Sequence, residues 1–106
     1  MKSVVLREVA LARSGDKGGH ANIGVWVHER AHYEALRHSL TADVVMAHFA
    51  ADGPRDVVRY ELPNLLAFNF VLLDVLGPEG ASASLRNDAQ AKVYGSRLLA
   101  LRVTID

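Results

Sequence analysis

The longest uncharged apolar run, Leu65 to Leu73, is broken only by the amide of Asn69, and apolar residues on both parities continue to Leu76. A run of this kind reads as an interior strand with both sheet faces covered. It falls far short of the roughly 20 residues needed to cross a bilayer. A chain holding such a strand has to build a sheet around it and a layer over that sheet. With 106 residues it has the size of one domain, here residues 1–106. It has no cysteine, which rules out a disulfide framework, a thiolate metal site and a cysteine nucleophile.

Shorter periodic segments fill in the order. Val4 to Ala12 is apolar on both parities and reads as a covered strand. A polar, glycine-rich break follows, Arg13-Ser14-Gly15-Asp16-Lys17-Gly18-Gly19-His20. In the second strand Ala21, Ile23, Val25 and Val27 face one way, and Asn22, Gly24 and Trp26 the other. From Arg30 the period lengthens to a helical stripe of Tyr33, Leu36 and Leu40. Thr41 is placed to cap a second helix with Ala42, Val45, Met46 and Phe49 on one face, ended by Asp52-Gly53-Pro54. Val57 to Leu62 alternates as a half-exposed strand stopped by Pro63-Asn64. Gly77 to Gly80 is a turn, and Ser84 caps a last helix with Ala91, Tyr94, Gly95 and Leu98 in a stripe, Gly95 permitting close approach. Leu101, Val103 and Ile105 close the chain as a strand. The predicted order is β-β-α-α-β-β-α-β: an α+β, ferredoxin-like sandwich with a mostly antiparallel sheet of about five strands and helices on one face.

Charge narrows the function classes. Twelve basic and twelve acidic residues give a formal net charge of zero. Nucleic-acid binders show a basic excess, so no nucleic-acid partner is expected. Arg7 and Glu8 interrupt the only stretch resembling a secretory leader. The expected location is cytoplasmic, away from membranes. His28-Glu29-Arg30-Ala31-His32 matches the zinc-protease pattern H-E-x-x-H. That chemistry needs both histidines on one formed helix, whereas the residues before His28 read as strand, so no metal site is expected there.

Three polar clusters remain. In Ser14-Gly15-Asp16-Lys17-Gly18-Gly19 the glycines permit converging backbone N–H groups, an anion nest to which Lys17 adds charge; the alternative is a plain hairpin loop. Pro63-Asn64 and Asn69 form the second: an unpaired amide inside a buried strand costs about 1–3 kcal/mol, so Asn69 needs partners or a polar pocket, and Asn22 poses the same question. The third is Ser84 to Lys92, where a helix N-terminus and Arg86 suit an anion, or where Ser84 and Asp88 merely cap.

The stretches RSGDKGGHANIG (Arg13–Gly24), RYELPNLLAFNFVL (Arg59–Leu72) and ASLRNDAQAK (Ala83–Lys92) together resemble the small C-terminal ferredoxin-fold domain of the AtuA family, named for acyclic terpene utilisation. The resemblance covers nearly the whole chain, in a form like the stand-alone version of that domain. It places Ser14, Asp16, Lys17, Asn22, Asn64, Asn69, Arg86, Asp88, Gln90 and Lys92 at the family's motif positions, as ligand-binding candidates. Two departures stand out: Gly19-His20 in place of a more polar pair, and Ala91 in place of a glycine before Lys92. The second tightens the helix and narrows a cleft beside it. The resemblance implies a setting in branched or terpenoid acyl-CoA catabolism, near acyl-CoA carboxylases, with a larger AtuA-type protein as partner. It brings no established reaction and no cofactor.

Two functions follow. One is an accessory or ligand-binding module for a small anion, pairing with a larger protein or forming a homo-oligomer. The other is a catalytic or substrate-binding subunit acting on an acyl-CoA or carboxylate. In that reading Lys17 and Arg86 hold the anionic end, Asp16 or Asp88 is the acid/base group, and Asn22 and Asn69 orient a carbonyl. The two part on geometry: a ligand site requires the clusters to meet at one concavity.

Overall fold

The computed structural model describes residues 2–76 and 93–105. The expected turn at Gly77 to Gly80 and the cap at Ser84 lie outside the described residues. Among the described residues six strands and three α-helices follow in order: β1 (Lys2–Val5), β2 (Ala10–Lys17), β3 (His20–Val27), α1 (Arg30–Ser39), α2 (Ala42–His48), β4 (Asp56–Leu62), β5 (Ala67–Leu73), α3 (residues 93–98) and β6 (Arg102–Ile105). All ladders are antiparallel, in a four-stranded sheet ordered β2-β3-β5-β4 and a two-stranded sheet of β1 and β6. The fold is a ferredoxin-like α+β arrangement.

The first expected strand is two. A 3₁₀ turn at Leu6–Glu8 separates β1 from β2, at the charged pair that interrupts the apolar run. Glu8 folds its carboxylate back to accept the Val5 N–H at 2.8 Å. Leu6 and Arg7 turn their N–H groups to the carbonyls of Leu101 and Leu99. The chain thereby leaves one sheet for the other. The glycine-rich segment also differs from expectation. Ser14 to Lys17 pair with β3 in a regular ladder, and Gly18-Gly19 alone makes the turn, with Gly18 at φ +63°. A backbone nest is therefore not formed by Ser14 to Lys17, because extended N–H groups alternate in direction instead of converging.

One face of the four-stranded sheet carries the core. Ala21, Ile23, Val25 and Val27 of β3 and Phe68, Phe70 and Leu72 of β5 are buried against Tyr33 and Leu36 of α1, Val45 of α2, and Tyr94 and Leu98 of α3. Tyr33 stacks on Phe68 with centroids 4.7 Å apart, and Phe49 meets Tyr94 edge-on at 5.4 Å. Arg97 lies over both of those rings while its guanidinium grips Asp52 through two nitrogens. Helix starts and stops follow their chemistry. Thr41 Oγ1 accepts the Val44 N–H at 3.2 Å and caps α2, and Gly53, at φ +68°, ends the following turn before Pro54.

Strand β5 lies inside the sheet, as expected, yet only alternate residues are buried. Asn69 falls on the half-buried side, so its amide does not meet a closed apolar interior. In β4 the alternation is reversed from amphipathic habit: Tyr60 and Leu62 point to the open face and are 53% and 39% exposed. The open face thus carries both amides and a good deal of apolar surface.

A glycine-floored cleft on the open sheet face

Strand register decides which side chains share that face. Residues directly opposite each other on paired strands lie on the same side of the sheet. Three neighbouring cross-strand rows result: Leu11-Trp26-Ala67-Leu62, then Arg13-Gly24-Asn69-Tyr60, then Gly15-Asn22-Val71-Val58. Gly24 is flanked across the strands by Arg13 and Asn69, and along its own strand by Asn22 and Trp26. A glycine surrounded by four longer residues makes a depression. A cleft of about 380 Å³ opens there, lined by Arg13, Ser14, Gly15, Asp16, Asn22, Gly24 and Asn69.

The glycines are not there for the backbone. Neither Gly15 nor Gly24 has a positive φ. A Cβ on Gly15 would meet nothing within 4 Å, and one on Gly24 would only touch the Arg13 carbonyl at 3.8 Å. Glycine inside a strand costs stability through chain entropy, and such positions often mark close approach of a ligand or another backbone. Gly95 is a contrasting case. Its added Cβ would stand 3.2 Å from Ser14 Oγ and 3.4 Å from backbone atoms of Arg13 and Ser14. Helix α3 therefore presses on β2 from the core side, and the Gly95 N–H donates to Ser14 Oγ at 2.7 Å.

Of the candidates read from sequence, Ser14, Asp16, Asn22 and Asn69 border this one cleft. Ser14 holds α3 with its hydroxyl, and it shares that parity with Asp16, opposite to Arg13 and Gly15. Lys17 stands at the hairpin end of β2, paired with His20. Asn64 is elsewhere. It sits in the exposed 3₁₀ turn Pro63–Leu65 and lines a separate hollow with Glu61, Leu62 and Leu65. Arg86, Asp88, Gln90 and Lys92 lie outside the described residues. Arg13 was not among the candidates, although it completes the cleft. The signal for it was available: a two-residue turn at Gly18-Gly19 places Arg13 opposite Gly24.

Several charges elsewhere among the described residues are paired. Arg55 pairs with Asp74, Arg59 with Glu61, and Arg97 with Asp52. The Arg55 hydrogen bond holds the exposed Asp74 carboxyl below its ordinary value, so any stability from that pair is present above the ordinary carboxylate value and is lost as pH falls from there through the lowered one. Burial raises the Tyr33 phenol, with Glu61 and Glu34 adding to the shift. Among the described residues, Arg13 and Asp16 form no ion pair, and neither Asn22 nor Asn69 makes a side-chain hydrogen bond. The cleft therefore offers one guanidinium and two amides whose hydrogen-bonding capacity is unspent. Helix α1 starts at Arg30, two residues past His28, so the H-E-x-x-H letters do not share one helix. Among the described residues no group of three or more His, Cys, Asp or Glu could hold a metal ion.

No curated protein and no solved structure matches this chain. The family model for the AtuA ferredoxin-like domain matches residues 4–104, from β1 through β6 and across the whole cleft, and the chain belongs to that family.

Proposed function

We propose that the chain is an AtuA-related ligand-binding module serving branched or terpenoid acyl-CoA catabolism, with the open-face cleft as its ligand site. The convergence of Arg13, Asn22 and Asn69 around a glycine floor carries this reading. Guanidinium and amide groups left without partners on a fold's surface are suited to a carboxylate or a carbonyl oxygen. The cleft's volume stands at the small end of the range for ligand pockets, about 300–1,000 Å³. Partnership with a larger AtuA-type protein or with a second copy belongs to the same proposal, as does a cytoplasmic location.

Thermal shift tests the reading directly. The protein is melted with short branched acyl-CoA esters, their free acids, and coenzyme A alone. A ligand at a hundred times its Kd adds about 2.7 kcal/mol to stability. For a domain of this size that raises Tm by roughly 10 °C or more. Arg13→Gln is expected to remove most of the shift without lowering the unliganded Tm by more than a degree or two, since Arg13 is exposed and unpaired. Absence of any shift across the panel overturns the proposal.

A further inference from the structure

Next to the polar depression, on the same sheet face, lies an apolar row. Leu11 is 49% exposed at the outer edge of β2, Trp26 is half-buried beside it, and Ala67 and Leu62 continue the row across β5 and β4. Along β3 the polar and apolar rows are two residues apart, about 7 Å. Gly24 is the step between Asn22 and Trp26, and it raises no side chain between them. The surface is thus amphipathic along β3: Asn22 stands at one end, Gly24 lies bare between Arg13 and Asn69 in the middle row, and Trp26 and Leu11 supply hydrocarbon at the other end.

Resting on the ligand-binding reading above, we infer that the cleft takes a monocarboxylic acid with an apolar chain. The carboxylate meets Arg13, Asn22 and Asn69, and the chain crosses Gly24 towards Trp26 and Leu11. Shape argues for a carboxylate: Arg13 presents a planar guanidinium at the edge of the Gly24 floor, matched to one planar anionic head. Guanidinium and carboxylate are both planar and pair through two parallel hydrogen bonds. A flat head on a flat glycine floor needs no side chain to move. Both Gly15 and Gly24 then have a reason to lack a Cβ that the backbone itself does not supply.

Titration calorimetry with straight-chain monocarboxylates from four to eight carbons, with free coenzyme A and acyl-CoA esters as further arms, decides the matter. Affinity is expected to rise roughly two- to fourfold with each methylene buried. Leu11→Asn should flatten that dependence while leaving the shortest acid unaffected, and Arg13→Gln should weaken every acid alike. Gly24→Val should weaken the longer acids at least tenfold. Should the valine variant fail to fold, Gly24→Ala, whose methyl has room, is expected to weaken them about threefold while keeping or raising Tm. Acids that bind with no dependence on length, or a Gly24 variant that folds and binds like the parent, overturn the inference and leave the ligand-binding reading standing. So does binding confined to the coenzyme A esters. If none of the acids or esters binds, both fall.

Discussion

Phe68→Ala is expected to destabilise the protein by about 3–5 kcal/mol, the usual cost of emptying a buried phenylalanine site. Phe68 is 1% exposed and sits where three supports meet. Tyr33 stacks on one face of the ring, Phe70 tilts against it at 6.4 Å, and the Arg59 guanidinium lies 5.2 Å from its centroid. Removing the ring leaves a void on the sheet and frees Arg59 from its cation–π contact. Arg59 keeps its hydrogen bonds to the carbonyls of Arg37 and Leu40, which limits how far the site can collapse. Against a total of about 5–15 kcal/mol for a typical domain, the loss is a large share. Urea denaturation reads it as a drop in midpoint at unchanged slope. A measured cost below about 1.5 kcal/mol would mean that the Tyr33–Phe68 stack is not part of the packed core.

The second large effect is expected at Gly95. Valine there drives methyl groups towards Ser14 Oγ and the backbone of Arg13 and Ser14, which a single added Cβ already approaches at 3.2 Å and 3.4 Å respectively. Overpacking of this kind costs about 1–3 kcal/mol. Loss of the Gly95 N–H bond to Ser14 Oγ adds about 1 kcal/mol if α3 is displaced. A fall in Tm of 8 °C or more is the expected result. Alanine makes an informative control, because its helix propensity, about 1 kcal/mol better than glycine's, works against the tight contact. Gly95→Val also has a functional signature: β2 carries Arg13 on the far side of the same backbone, so pushing that strand should weaken ligand binding in parallel. A valine variant with parental Tm would remove α3 from its place against β2.

Much of this architecture could be read without coordinates. The parity of β3, the cap at Thr41, the stop at Gly53-Pro54 and the close approach at Gly95 are local rules that the fold obeys. Two features were hidden because they depend on partners. Alternation cannot tell a strand covered on both faces from one half-covered by its neighbours, so Asn69 looked more deeply buried than it is. Nor does periodicity show a strand changing sheets, which here follows from the backbone bonds of Leu6 and Arg7 to Leu101 and Leu99. For the cleft, residue types and the family's motif positions group Asn22 with Asn69, and the register supplies what joins them, the bare backbone of Gly24. Arg13 is hidden for another reason: the glycines beside it read as a loop, whereas it stands in the β2–β3 ladder opposite Gly24.

Pairing β1 with β6 sets Lys2 opposite Ile105, so the shortest sheet joins opposite ends of the described chain. Loop-closure entropy makes such a contact slow to form until the intervening chain has condensed. The two-stranded ladder should therefore zip up last during folding and part first during partial opening, with the hairpin of β2 and β3 already in place. Amide hydrogen exchange should find Val4 and Val103 less protected than Ile23 and Phe70; equal protection would instead mean that the whole molecule opens as a single cooperative unit.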